Sequence, residues 1–226
     1  MSDIASRLHE IKERMAEAAA RAGRRAEEVE LLAVSKTFPP EAVEAAAAAG
    51  QRLFGESRVQ ECLTKIPALS GRLSWHFIGH LQSNKIRKIL PLCPVIHSVD
   101  STALALDMER IAEEEGLRPE IYLQVNVASD GRKFGFTAQS VRREMEPLLQ
   151  LRRVQVAGLM TIPPLVADPE LSRPHFAALR ELRDRLAAET GVPLTGLSMG
   201  MSGDYTVSIE EGATIVRVGS LLFGSR

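Results

Sequence analysis

The chain is predicted to fold as an α/β protein, a single (β/α)8 TIM-type barrel with one extra helix at its N-terminus. Three observations predict this. Eight short apolar or β-branched runs recur along the 226 residues, helix-like stretches separate them, and the first run lacks the glycine-rich turn that opens most doubly wound sheets. No linker, low-complexity tract or composition break divides residues 1–226, so one domain is expected.

Residues 3–22 carry Ile4, Leu8, Ile11 and Met15 three or four apart, which predicts an amphipathic helix stopped by Gly23. Strands are then expected at 29–35, 52–54, 75–78, 95–99, 121–127, 154–160, 194–198 and 214–218. Helices are expected between them at 40–49, 57–66, 83–90, 101–115, 138–149 and 169–189, with a short one at 208–211. Pro39-Pro40 opens the first, Asp100-Ser101 precedes another, and Gly50, Gly116 and Gly191 sit where a helix-terminating glycine belongs. A helix between two strands returns the chain to its starting end, so the strands must run parallel. A count of eight favours closure into a barrel.

The composition is that of an ordinary soluble protein, 45% hydrophobic and 25% charged. A net charge of −1 gives no field to steer nucleic acid or an acidic membrane surface. No run has the length to span a bilayer, and no secretory signal precedes the charged N-terminus. With two cysteines, Cys62 and Cys93, and seven methionines, a reducing cytoplasm is the expected compartment. The five histidines and two cysteines follow no metal-ligand spacing, so no metal is expected.

Barrels place their chemistry at the C-terminal ends of the strands, with phosphate sites often in the loops after strands 7 and 8. Lys36 follows the apolar run Leu31-Leu32-Ala33-Val34; a lysine at a barrel rim is either a solvated snorkelling side chain or an amine available for Schiff-base chemistry. Met201-Ser202-Gly203 after strand 7 and Gly219-Ser220 after strand 8 offer N–H groups and hydroxyls, as ordinary turns or jointly as a phosphate cradle. Arg217 lies inside the last strand and needs a partner, either a carboxylate or the nitrogen of a bound pyridine ring. Asn126 ends strand 5 as a ligand or a turn cap, His76 and His80 flank the exit of strand 3, and Ser83 is placed to cap a helix.

Taken together, Ala33-Val34-Ser35-Lys36-Thr37, Phe54-Gly55-Glu56, the stretch from Trp75 to Lys85, Gly158-Leu159-Met160, Leu197 to Ser202 and Val216 to Ser220 resemble the pyridoxal phosphate homeostasis protein family. The resemblance runs from about Leu31 to Gly224. It implies a barrel related to the N-terminal domain of alanine racemase, with pyridoxal 5′-phosphate (PLP) held as an internal aldimine on Lys36. It further implies that Ser202 and Gly219-Ser220 hold the phosphate, that Arg217 faces the ring nitrogen, and that Asn126 and His80 lie near the ring. Two positions depart from the pattern: Ser57 stands where the family often has asparagine, and Phe38 where many members carry a second lysine. A second PLP site is open to Lys85, Lys133 or another lysine.

Three functions are consistent with these residues. The first is a PLP-binding protein of cofactor homeostasis, with PLP as its ligand, apo forms of PLP-dependent enzymes as candidate partners, a monomeric state and no catalytic residues. The second is a racemase-like enzyme, which needs an acid and a base on opposite faces of the substrate carbon. Lys36 serves one face, but the racemase β-domain that supplies a tyrosine is not expected beyond Gly224-Ser225-Arg226, leaving Tyr122 and Tyr205. The third is a barrel whose Lys36 reacts directly with a sugar phosphate.

Overall fold

The computed structural model describes residues 2–69, 72–128 and 134–224; Lys133, Ser225 and Arg226 lie outside them. Eight strands form a closed parallel barrel in sequence order: β1 (Glu30–Val34), β2 (Leu53–Glu56), β3 (Ser74–Phe77), β4 (Val95–Val99), β5 (Glu120–Gln124), β6 (Gln155–Met160), β7 (Gly196–Met201) and β8 (Ile215–Val218). Closure is made by β1, which pairs with both β2 and β8. The helices are α1 (Ser2–Arg21), α2 (Pro40–Ala48), α3 (Val59–Ala68), α4 (Ile86–Ile89), α5 (Thr102–Glu114), α6 (Ala138–Leu149), α7 (Arg173–Thr190), α8 (Tyr205–Glu210) and α9 (Ser220–Phe223). The expected barrel and its extra N-terminal helix are therefore present.

Helix α1 buries Leu8, Ile11, Met15, Ala18 and Ala19, the stripe its three-to-four spacing predicts, against α8, α9 and α2. Just past its end, Arg24 ties the helix to the barrel, donating from Nη1 to the carbonyls of Ile209 and Ala213, each at 2.9 Å. Ser101 caps α5 by accepting the Leu104 N–H at 3.3 Å, and Gly50, Gly116 and Gly191 all take positive φ just past their helices. Glu109 of α5 reaches across to the entry of β6, where its carboxylate accepts N–H bonds of 2.9–3.1 Å from Arg152, Arg153 and Val154. Charge-assisted bonds of this kind make Glu109→Ala cost about 2 kcal/mol, to be read from the urea midpoint; an unchanged midpoint would show that water replaces the carboxylate.

Several boundaries differ from expectation. β7 runs Gly196–Met201 rather than 194–198; its ladder with β6 begins where Gly196 pairs with Gly158. The bulge between Ser198 and Met201 then lets it pair with β8 to its end. β5 stops at Gln124 rather than 127: the Val125 N–H still donates to Met160 of β6, but beyond the rim Asn126 donates to the Phe136 carbonyl and Phe136 to that of Gln124. β2 extends to Glu56, and α8 begins at Tyr205 rather than at 208. The fourth helix splits into a 3-10 turn (Ser83–Lys85) and one α turn, and Ser83 provides no cap. The turn α9 has no counterpart among the expected helices.

Most of the apolar burial lies between strands and helices, where Leu31, Ala33, Val216 and Val218 point outward. The barrel interior holds a smaller buried group of Leu32, Val34, Tyr122, Met160 and Ile215. Between these sit buried polar residues: His76, His97, Ser198 and Arg217. An unsatisfied polar group there would cost about 1–3 kcal/mol, comparable to what a buried Leu contributes. Their placement therefore calls for hydrogen bonds to one another, and these are found.

Candidate functional site

Alternation along β1 fixes where Lys36 goes. Leu32 and Val34 face the interior, and Lys36, two residues on, continues that face at the rim. The chain turns there, with the Phe38 N–H donating to the Ser35 carbonyl at 3.0 Å. Thr37, at the third position of that turn, has φ +68°, a conformation normally left to glycine. Phe38, where many family members have lysine, packs against Phe223 of α9 with the rings tilted by 32° and their centroids 5.1 Å apart. It thereby ties the loop after β1 to the turn after β8.

Lys36 opens into a cavity of about 360 Å³, within the range of small-molecule sites. Met201, Ser202, Arg217, Gly219 and Ser220 line it too, so six of the eight expected residues are brought together. The two small-residue turns are joined, the Gly219 N–H donating to Ser202 Oγ at 3.3 Å. The helix α9 begins at Ser220, with the Leu222 and Phe223 N–H groups donating to the Gly219 carbonyl at 3.0 and 2.9 Å. The other two do not line it. His80 is exposed, 3.2 Å from the Asp100 carboxylate and stacked on Phe134, while Asn126 donates its backbone N–H to Phe136 at 2.9 Å.

Arg217 is 4% exposed and forms no carboxylate ion pair among the described residues. Its Nη1 donates to Ser198 Oγ at 2.7 Å and its Nη2 to the Thr161 carbonyl at 2.8 Å. Burial pushes its pKa down to about 10, and the Asp204 carboxylate pulls it back up, so the cation persists at neutral pH. Behind it, His97 Nδ1 lies 2.7 Å from Ser198 Oγ, and His97 Nε2 lies 2.9 Å from His76 Nδ1. One assignment satisfies every member: Arg217 donates to Ser198, the Ser198 hydroxyl to His97, and His97 Nε2–H to His76. Burial holds His76 down at about 4; burial, then His76 and Arg217, hold His97 well below its ordinary value. Two neutral rings thus back one buried cation.

Sequence reasoning missed other residues of the site. Asp204 folds the turn after β7, accepting the Met201 N–H at 2.7 Å and the Ser172 hydroxyl at 3.1 Å. Ile162, Pro164, Leu165 and Val166 wall the cavity from the loop after β6. Their signal was apolar side chains in a loop, with Leu165 94% exposed. Tyr205 is not at the site: it faces Arg7, Glu10 and Arg14 in a separate small cavity, while Tyr122 stacks on His97 inside the barrel.

A rim amine, a buried cation and a cradle of hydroxyls and N–H groups around one cavity fit the aldehyde, ring nitrogen and phosphate of PLP. The fold sets the class first: the family described as alanine racemase, N-terminal domain, matches residues 7–226. Alanine racemase of Clostridium difficile shares that fold at 16% identity and a TM-score of 0.78, covering 100% of this chain and 56% of that one. Within the class, the chain belongs to the pyridoxal phosphate homeostasis protein family, which bears out the resemblance read from its motifs. It is 45% identical over 221 residues to the pyridoxal phosphate homeostasis protein of Aquifex aeolicus, covering 97% of each. The structure of PipY from Synechococcus elongatus with PLP bound superposes with a TM-score of 0.86 at 42% identity, covering 98% of this chain and 100% of that one.

Proposed function

We propose that this chain binds PLP through Lys36 and serves PLP homeostasis without catalytic turnover. The observation that carries the reading is the convergence of Lys36, Arg217 and the two small-residue turns on one cavity. Lys36 would hold PLP through the aldehyde carbon, and the bound cofactor would supply a conjugated pyridine ring. Ser202, Gly219 and Ser220 hold the phosphate. Arg217 faces the ring nitrogen, and a permanent cation there keeps that nitrogen unprotonated, which weakens the ring as an electron sink. Asn126 and His80 are assigned to the rim of the ring site.

Two further points support a carrier over a racemase. Neither Tyr122 nor Tyr205 lines the cavity, so no tyrosine stands across from Lys36 to complete an acid–base pair among the described residues. The cavity is also walled by exposed side chains such as Leu165, which suits exchange of the cofactor with apo-enzymes better than water-excluded chemistry. We assign residues 1–226 to one domain that acts as a monomer in the cytoplasm; no described helix is long and apolar enough to cross a membrane.

The test is an absorbance spectrum with PLP, repeated after borohydride reduction and on Lys36→Ala. A band at roughly 420 nm, trapped on Lys36 by mass mapping and lost in the variant, is expected. If wild type gives no band and no adduct, the cofactor assignment fails, and the direct sugar-phosphate reading takes its place.

A further inference from the structure

Beneath Lys36 lies a cluster of charges that the binding chemistry does not use. Lys65 of α3, only 6% exposed, donates from Nζ to Glu56 Oε1 at 2.7 Å, to the Ser35 carbonyl at 2.9 Å and to Glu61 Oε2 at 3.2 Å. Glu56, fully buried at the end of β2, accepts the Ser35 hydroxyl at 2.7 Å. Glu61 accepts the Thr37 N–H at 2.6 Å. Both chain neighbours of Lys36 are therefore held, Ser35 through its carbonyl and hydroxyl and Thr37 through its N–H.

Stability is a poor explanation for this cluster. Buried ion pairs are often matched or bettered by apolar replacements, and here Glu56 Oε2 is buried without a hydrogen-bond partner. The cluster also coincides with the only non-glycine residue at positive φ among those described, Thr37 at +68°. Such strain persists only where surrounding structure over-determines it. The Glu61 bond to the Thr37 N–H supplies that determination. Against the upward push of burial, this N–H and the Lys65 ammonium hold the Glu61 carboxyl below its ordinary value, so a full negative charge grips the strained peptide.

We infer that Glu56, Lys65 and Glu61 are positioning residues that lock the Ser35–Phe38 turn in its left-handed form and so aim the Lys36 amine into the cavity. The inference rests on the reading of Lys36 as the PLP lysine. Once the turn relaxes, Lys36 samples other directions and PLP affinity falls by the population lost.

The experiment titrates PLP into wild type, Glu61→Ala, Thr37→Gly and the double variant, following the imine band, with urea midpoints of the apo proteins alongside. Glu61 is the first choice because its loss leaves the buried Lys65–Glu56 pair intact. Glu61→Ala is expected to weaken PLP binding about 5- to 30-fold, the equilibrium cost of holding a non-glycine residue at positive φ. Adding Thr37→Gly should restore most of that loss, since glycine takes this φ unaided. Lys65→Met, provided its urea midpoint shows it folded, should weaken binding in the same direction and be partly rescued by the same glycine. Wild-type affinity in Glu61→Ala overturns the inference. So does a loss that Thr37→Gly fails to rescue, because a merely structural role would not respond to glycine at that one position. Failure of wild type itself to give the band is a different result: it removes the PLP reading, and this inference with it.

Discussion

Acidification from pH 7 to pH 4 is expected to strip about 3 kcal/mol of stability from the protein through His76 alone. His76 is 9% exposed, and burial holds its folded-state pKa at about 4 against 6.5 for the free side chain. Each tenfold difference in proton affinity is worth about 1.4 kcal/mol. Between those two values the unfolded chain takes up a proton that the folded chain refuses, so stability is fully present above pH 6.5 and is lost as pH falls towards 4. His97 acts in the same direction, because burial opposes its protonated form first, and His76 and the Arg217 cation oppose it further. Glu56 works the other way: burial raises its carboxyl, so neutralising it on acidification favours the folded state. The window from pH 6.5 to pH 5 separates the histidines from carboxylates such as Glu61 and Glu109, which are held low and matter only below it. Urea midpoints across that window should fall by about 2 kcal/mol, and His76→Gln should flatten the slope. A flat wild-type profile from pH 7 to pH 5 would mean that water reaches the pair and hydrates its protonated form.

Legibility in the sequence tracks the range of the interaction. Lys36 could be placed because its position is a local matter: period-two alternation from Leu32 through Val34 carries it to the interior rim. The helix-ending glycines were equally readable, since a positive φ is a one-residue requirement. From the sequence, Arg217 needs a partner, but which partner depends on barrel register. The answer, Ser198 and Thr161, comes from β7 and the end of β6, 19 and 56 residues away. His97 and Ser198 are 101 residues apart, and no local pattern marks them as neighbours. The strain at Thr37 had no signal either, because threonine does not announce a left-handed turn. The carboxylate that accepts the Thr37 N–H belongs to Glu61, 24 residues on, beyond any local pattern.

Gly158→Ala is expected to cost about 3 kcal/mol or more, at the upper end of what overpacking does. A Cβ at that position would lie 1.9 Å from the Gly196 carbonyl oxygen and 2.6 Å from its Cα. Both are backbone atoms of the paired strand, which no rotamer change can move aside. Gly196→Ala is milder, at about 1–3 kcal/mol, because its Cβ would meet the Tyr122 ring, 2.5 Å away at Cε1, and a ring can shift. That shift has a consequence for the site. Tyr122 stacks on His97 at 4.6 Å, His97 bonds Ser198, and Ser198 accepts from Arg217, so a displaced tyrosine loosens the support of the buried cation. Urea unfolding of the two apo variants, paired with PLP titration, separates the effects. Gly158→Ala should show a much lower urea midpoint, whereas Gly196→Ala should lose less and bind PLP more weakly. A Gly158→Ala protein as stable as wild type would mean that β6 and β7 can part at this point without loss of the barrel.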